Sequence, residues 1–274
     1  MSASDRPLLS NARSERVREV SALGRRAARA RSGRFLVEGP QAVRELLRYA
    51  AGHARALYVT AAAGERHPEI LDAAGREDVP TWTCTEEVLA AMADTGSPQG
   101  VLAVAEQVDV PLDEALDAVG PGGFAVVLTH VRDPGNAGTV LRGASAFGAA
   151  AVLVSAASVD VHHPKVVRST VGALFHLPVS VGTPVGELLD ACRGRGIRLL
   201  AADGGGEVAL PDADLAGPHA WVLGNEAWGM PDDVLAACDA GVAIPIERAE
   251  SLNLAMAATV CLHASAAAAG ETRS

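Results

Sequence analysis

The sequence runs to 274 residues, 49% of them apolar, which suffices for one large domain or two ordinary ones with a proper core. A formal net charge of −10 argues against a nucleic-acid partner, yet the first 55 residues hold 12 arginines against five acids (Asp5, Glu15, Glu19, Glu38, Glu45), a local +7 that leaves −17 for the rest. Cys84, Cys192, Cys238 and Cys261 lie far apart and the longest apolar run, residues 254–269, contains His263 and Ser265, so neither a metal site, a disulfide framework nor a membrane span is indicated and a cytoplasmic location is expected.

Residues 1–33 read as a basic arm running into a helix, because Arg and Ala alternate there without a clear apolar stripe. Such a charge run is as often a solvated face as a binding surface. Residues 34–108 form a compact α/β unit: strands at 35–37, 56–60 and 101–105, a turn at Glu38, Gly39 and Pro40, and helical stretches at 43–47, 69–74 and 86–92. Pro111, Gly120, Pro121 and Gly122 flank a short amphipathic stretch and mark residues 109–122 as a linker.

A larger α/β domain follows over residues 123–270. Continuous apolar strands at 125–129, 151–155, 179–181, 199–202, 221–223 and 242–246 alternate with helix-length segments, among them 137–147 and a last helix from Leu252. Strands of that kind imply a parallel sheet covered on both faces.

Three segments of this domain carry candidate chemistry. The first contains Asn136, Gly138 and Arg142 and opens a helix directly after a strand; Asn136 is either the helix N-cap or a functional amide, and Arg142 with small neighbours Gly138, Gly143 and Ala146 is expected in a crowded setting. The second, Gly224, Asn225 and Glu226, leaves a strand through a tight loop, where open α/β sheets place their ligands. The third runs from Ile244, Pro245 and Ile246 to Ser251, Leu252 and Asn253; Ser251 is either a plain N-cap or, with Asn253, part of a ligand site. Gly204, Gly205 and Gly206 after a strand make only a weak dinucleotide fingerprint, so a Rossmann-type oxidoreductase or an unknotted methyltransferase is the lesser reading.

In order and spacing, the N-x-G-x-x-x-R, G-N-E and I-P-x…S-L-N patterns resemble the three motifs of the SpoU (TrmH-like) branch of the SPOUT RNA 2′-O-ribose methyltransferases. Residues 168–178 look like that family's S-x-G-A segment, while residues 35–40 and 97–101 resemble the L30e-like RNA-binding domain that precedes some SpoU catalytic domains. The resemblance implies a parallel sheet with a C-terminal trefoil knot, which no general packing rule would anticipate. It implies S-adenosyl-L-methionine as cofactor, held largely by backbone groups near Ala202, Leu223, Gly224, Ile244, Ile246 and Leu252. Arg142 matches the family's catalytic arginine, with Asn136, Glu226, Ser251 and Asn253 orienting it, the ribose and the cofactor. A homodimer is implied, as is a structured RNA substrate, 23S rRNA before tRNA, with Arg25, Arg26, Arg29 and Arg31 as RNA contacts. A non-catalytic RNA-binding protein of the same fold is the remaining alternative. One departure stands out: Ala227 follows the G-N-E triplet where the family often has glycine.

Overall fold

The structure, a computed structural model, describes residues 7–225 and 227–272. In chain order the elements are α1 (Glu15–Ala22), α2 (Arg26–Ser32), β1 (Arg34–Glu38), α3 (Pro40–Tyr49), β2 (Ala54–Thr60), α4 (Ala61–Arg66), α5 (Pro68–Arg76), β3 (Thr81–Cys84), α6 (Glu86–Met92) and β4 (Val101–Glu106). There follow α7 (Leu112–Asp117), β5 (Phe124–Leu128), α8 (Pro134–Ala146), β6 (Ala151–Ser155), α9 (Pro164–Thr170), β7 (Val179–Thr183), α10 (Val185–Gly194), β8 (Arg198–Ala202), β9 (Val208–Ala209), β10 (His219–Leu223), α11 (Asp232–Ala236), β11 (Ala240–Ala243) and α12 (Leu254–Thr272). Two compact units result: the first takes the chain up to Val108 together with Asp160–His176, the second takes Asp109–Val159 and everything from Leu177.

The first unit is built on a four-stranded sheet of order β1-β4-β2-β3, antiparallel except for the parallel pair β2 and β3. The expectation of a loose basic arm fails here. Val17, Val20 and Leu23 recur at helical spacing and bury against Leu36, Tyr58 and Val104 of the sheet, and Leu9 bridges to Cys84. Their apolar face is narrow, and the surrounding arginines obscure it in the sequence.

Residues 160–176 belong to this unit although they lie between β6 and β7 in the chain. The Phe35 ring sits 4.7 Å from the His162 ring and 6.4 Å from that of Phe175. Glu38 accepts from the backbone N–H groups of Asp94 and Thr95 and from Arg168, and Gly172 lies so close to Glu45 that a Cβ there would meet its side chain at 2.5 Å. No local pattern in the sequence reveals that Val166 and Val167 are buried here rather than in the domain that precedes and follows them.

The second unit is a seven-stranded sheet of order β7-β6-β5-β10-β8-β11-β9, parallel throughout. Most of its strands fall where continuous apolar runs place them, with the ends shifted by up to three residues, as at β11, where residues 244–246 lie beyond the strand; the short β9 is marked by no such run. The supposed linker is no linker. Ala115 and Leu116 of α7 are fully buried in the core with Val127, Leu153 and Leu199, so the unit begins at Asp109. Helix α12 packs on α8 and β10, and is pinned by Ser265, whose hydroxyl meets both His219 Nε2 (2.7 Å) and the Trp221 Nε1–H (2.8 Å). No helix among the described residues is long and apolar enough to cross a membrane.

Candidate functional site

Strands β10, β8 and β11 are adjacent and parallel, so the segments that leave their carboxyl ends at Gly224, Asp203 and Ile244 emerge on one side of the sheet. Between them and the start of α12 lies a cavity of about 320 Å³, lined among others by Ala202, Gly224, Ile244, Ile246, Ser251 and Leu252. Six of the residues expected from the sequence thus share one wall-to-wall space. Leu223 does not: it is buried, and its carbonyl accepts from the Thr129 N–H (2.8 Å) and hydroxyl (3.1 Å).

The loop after β10 is shaped by its own backbone. Asn225 N–H donates to the Gly229 carbonyl at 2.7 Å and Gly229 N–H returns a bond to Asn225 at 3.0 Å, with Gly229 taking the left-handed conformation at φ +74°. A Cβ on Gly224 would come within 2.7 Å of the Gly229 carbonyl oxygen, so this position admits only glycine without a shift. The Ala227 N–H donates to Asn225 Oδ1 (2.8 Å). Glu226 lies outside the described residues.

Asn225 has a role that its place in the motif did not disclose. Its Nδ2 donates to the carbonyl of His130 (2.9 Å), a non-glycine residue at φ +58°, and so ties the loop after β5 to the loop after β10. The signal available in the sequence was only its position in the triplet.

The first motif is capped by Asp133, not Asn136: the Asp133 carboxylate accepts from the Asn136 N–H at 2.7 Å. The Asn136 side chain acts elsewhere: its Oδ1 accepts from Asn253 Nδ2 at 3.1 Å. Asn253 also caps α12, since its Oδ1 accepts from the Ala255 N–H (2.9 Å), so the capping role offered for Ser251 belongs to Asn253. Ser251 instead lines the cavity. Arg142 departs from expectation as well: it stands exposed on α8 rather than crowded, and makes no hydrogen bond or ion pair among the described residues. The close approach occurs beside it, where a Cβ on Gly143 would meet Leu262 of α12 at 3.5 Å.

Residues 244–253 carry no helix or strand, and no hydrogen bond within the described chain engages the backbone of Ile244, Ile246 or Leu252. Amides and carbonyls on a partly apolar wall are what a flat heteroaromatic ligand with polar edges requires. The donor set therefore fits an adenine nucleoside held by backbone groups. Among the described residues no cluster of His, Cys, Asp and Glu could hold a metal ion.

Of the four arginines expected to meet RNA, Arg25, Arg26 and Arg31 are exposed and Arg29 is not. Arg29 is 1% exposed; it donates to the Leu23 and Gly24 carbonyls (both 2.9 Å) and pairs with Asp160 at 2.7 Å. Burial pushes the Asp160 carboxyl up, but the Arg29 hydrogen bond and charge outweigh it and hold the group below the ordinary carboxylate range. Arg29 is thus a buried tie between α2 and Asp160, and its guanidinium is not offered to a phosphate.

Residues 123–263 match the SpoU rRNA Methylase family, and residues 14–103 match the MRM3-like substrate binding domain. The chain is 34% identical to a 23S rRNA (uridine(2479)-2′-O)-methyltransferase of Streptomyces viridochromogenes, over 88% of this chain and 85% of that protein. It is 26% identical to the 23S rRNA (guanosine(2553)-2′-O)-methyltransferase RlmP of Bacillus subtilis, over 93% and 97%. Its fold is similar to that of an AdoMet-bound rRNA methyltransferase from Sinorhizobium meliloti, with a TM-score of 0.83 at 26% identity over 94% and 97% of the two chains.

Proposed function

The chain belongs to the SpoU rRNA methylase family, and from that premise we propose that it transfers a methyl group from S-adenosylmethionine to a ribose 2′-hydroxyl of structured RNA, 23S rRNA in the first place. The observation that carries this reading is the cavity where the G-N-E loop, the segment after β11 and the start of α12 converge. When bound there, S-adenosylmethionine supplies a methyl group on a sulfonium sulfur, activated for in-line transfer.

The chain's own residues supply binding and alignment. Free backbone groups of Ile244, Ile246 and Leu252 are the candidate partners of the adenine edge, with Ala202 and Gly224 completing the wall. Arg142 offers hydrogen-bond donors and no acceptor, which does not suit a general base. Its part is to hold a phosphate or the developing alkoxide, leaving the 2′-hydroxyl proton to a phosphate oxygen or water. Asn136 and Asn253, bonded to each other, orient this end of the site, and Ser251 and Glu226 are assigned to ribose and cofactor by their motif.

A homodimer and a knotted C-terminal segment belong to the same reading. The exposed side chains of Met256 and Val260 on α12 support a covered helix face, and the return of α12 to β10 after the edge-ward excursion through β11 supports threading. Calorimetry with S-adenosylmethionine, light scattering, and mapping of 2′-O-methyl sites in RNA from cells with and without the protein test the proposal. A monomer with no affinity for millimolar S-adenosylmethionine would overturn it.

A further inference from the structure

We propose that a cleft in the first unit, bounded by α1, α2 and the sheet, binds an unpaired nucleotide of the RNA, its base stacked against the Arg16–Trp82 pair and its phosphates held by Arg31 and Arg34. The inference rests on the RNA methyltransferase reading and adds to it an RNA contact apart from the segments at residues 35–40 and 97–101. The cleft has a volume of about 470 Å³, within the roughly 300–1,000 Å³ usual for small-ligand sites.

Its floor is a cross-strand aromatic pair. Tyr58 of β2 and Trp82 of β3 are register partners whose rings lie 5.4 Å apart and 19° from parallel. Tyr58 is buried core, whereas Trp82 is only half-buried, and the exposed Arg16 of α1 lays its guanidinium carbon 4.3 Å over the Trp82 ring. Burial of Val17 and Val20 fixes the rotation of α1 and so brings Arg16 to this edge. A guanidinium plane backed by an indole is a stacking surface for any base, because every base presents a π face.

The rim supplies the charge. Arg31, Arg34 and Arg55 line the cleft with Glu19. Arg55 is engaged by Glu106 and by the Gly52 carbonyl, but Arg31 and Arg34 are exposed and make no side-chain hydrogen bond or ion pair among the described residues. In a chain of net charge −10, arginines gathered around an aromatic floor with Glu19 as the one acid among the described lining residues mark an anionic ligand with a flat, stackable part. A nucleotide has both features; an acidic peptide has only the charge.

The test titrates the full chain with ten-residue oligouridylate and oligoadenylate at several salt concentrations, following tryptophan fluorescence and, separately, S-adenosylmethionine binding by calorimetry. We expect saturable quenching that disappears in Trp82→Leu. The double variant Arg31→Ala/Arg34→Ala should lose about tenfold or more in affinity at low salt. Its log-affinity slope against log salt should flatten by about 1.4, two contacts at roughly 0.7 each for single strands. Because Trp82→Leu unpacks Tyr58, the double variant, which alters only exposed side chains, decides the matter. Wild-type affinity and slope in that variant would overturn the cleft. So would competition by polyglutamate as effective as that by oligonucleotide, which would point to an acidic protein partner. Failure of the wild type to bind S-adenosylmethionine would instead sink the enzymatic reading, and leave the oligonucleotide result to judge the cleft by itself.

Discussion

Asn253 Nδ2 donates to Asn136 Oδ1 at 3.1 Å, so two residues 117 positions apart in the chain, from the first and third motifs, meet directly. The other end of the Asn253 amide caps α12 through the Ala255 N–H. Asn253→Ala should therefore lose both roles: about 1 kcal/mol of stability from the cap and most of the turnover. Asn253→Asp keeps an acceptor for the cap and loses the amide donor, so its melting temperature should stay near wild type while kcat falls. Equal loss of stability in the two variants, with kcat unchanged in Asn253→Asp, would show that the asparagine acts only as a cap.

Arg142→Ala should abolish methyl transfer and leave S-adenosylmethionine affinity largely intact. Its exposure means that folding should change by less than about 0.5 kcal/mol, so any loss of rate is chemical rather than structural. Arg142→Lys should recover little, because an ammonium lacks the planar fork. Glu226→Ala, by its motif, should weaken both binding and turnover. Single-turnover rates and calorimetry on the same preparations check this, and near-wild-type turnover in Arg142→Ala would end the mechanism given above.

The Ser265 hydroxyl serves two buried groups. It accepts from Trp221 and donates to His219 Nε2, while His219 Nδ1 donates to the Gly217 carbonyl at 3.0 Å, an arrangement that needs neutral imidazole. Burial lowers the His219 pKa below its ordinary 6.5. The unfolded chain then binds the proton first, so stability is full above about pH 6.5 and is lost as pH falls toward the folded pKa. Ser265→Ala should cost about 1–3 kcal/mol, since it strands a buried donor and a buried acceptor. Thermal melts between pH 8 and pH 5 check both statements; His219→Phe should flatten the acid limb attributable to this group.

The basic segment should divide into two kinds of arginine. Arg29→Ala leaves the Asp160 carboxylate without its buried partner and should destabilise the first unit by about 3 kcal/mol or more. Arg25→Ala/Arg26→Ala should leave melting unchanged and instead reduce the salt dependence of RNA binding. Denaturant unfolding and filter binding at several salt concentrations separate the two effects. A stable Arg29→Ala protein with weakened RNA binding would reverse the assignment.

Much of the second unit was legible because its strands are uninterrupted apolar runs, such as Phe124–Leu128 and Ala151–Ser155, that no other element accommodates so well. The motif residues were legible through order and spacing, and Gly224, Ile244 and Ser251 do meet. What stayed hidden was long-range. β3 alternates Thr, Trp, Thr and Cys and lacks the apolar signal of its neighbours. The capping of α8 by Asp133 rather than Asn136, and of α12 by Asn253 rather than Ser251, turns on a shift of two or three residues that propensity does not resolve. Burial of Arg29 depends on Asp160, 131 residues away, and nothing near Arg29 announces it.

The placement of Asp160–His176 in the first unit has a consequence for biosynthesis. Phe35 lacks its ring partners at 4.7 and 6.4 Å until His162 and Phe175 have been made, the latter roughly 70 residues after the rest of the unit has been synthesised to Val108. At about 5–20 residues per second, that interval lasts roughly 3–14 s on the ribosome. During it the nascent chain holds all four strands of the first sheet without the His162 and Phe175 rings that pack on Phe35.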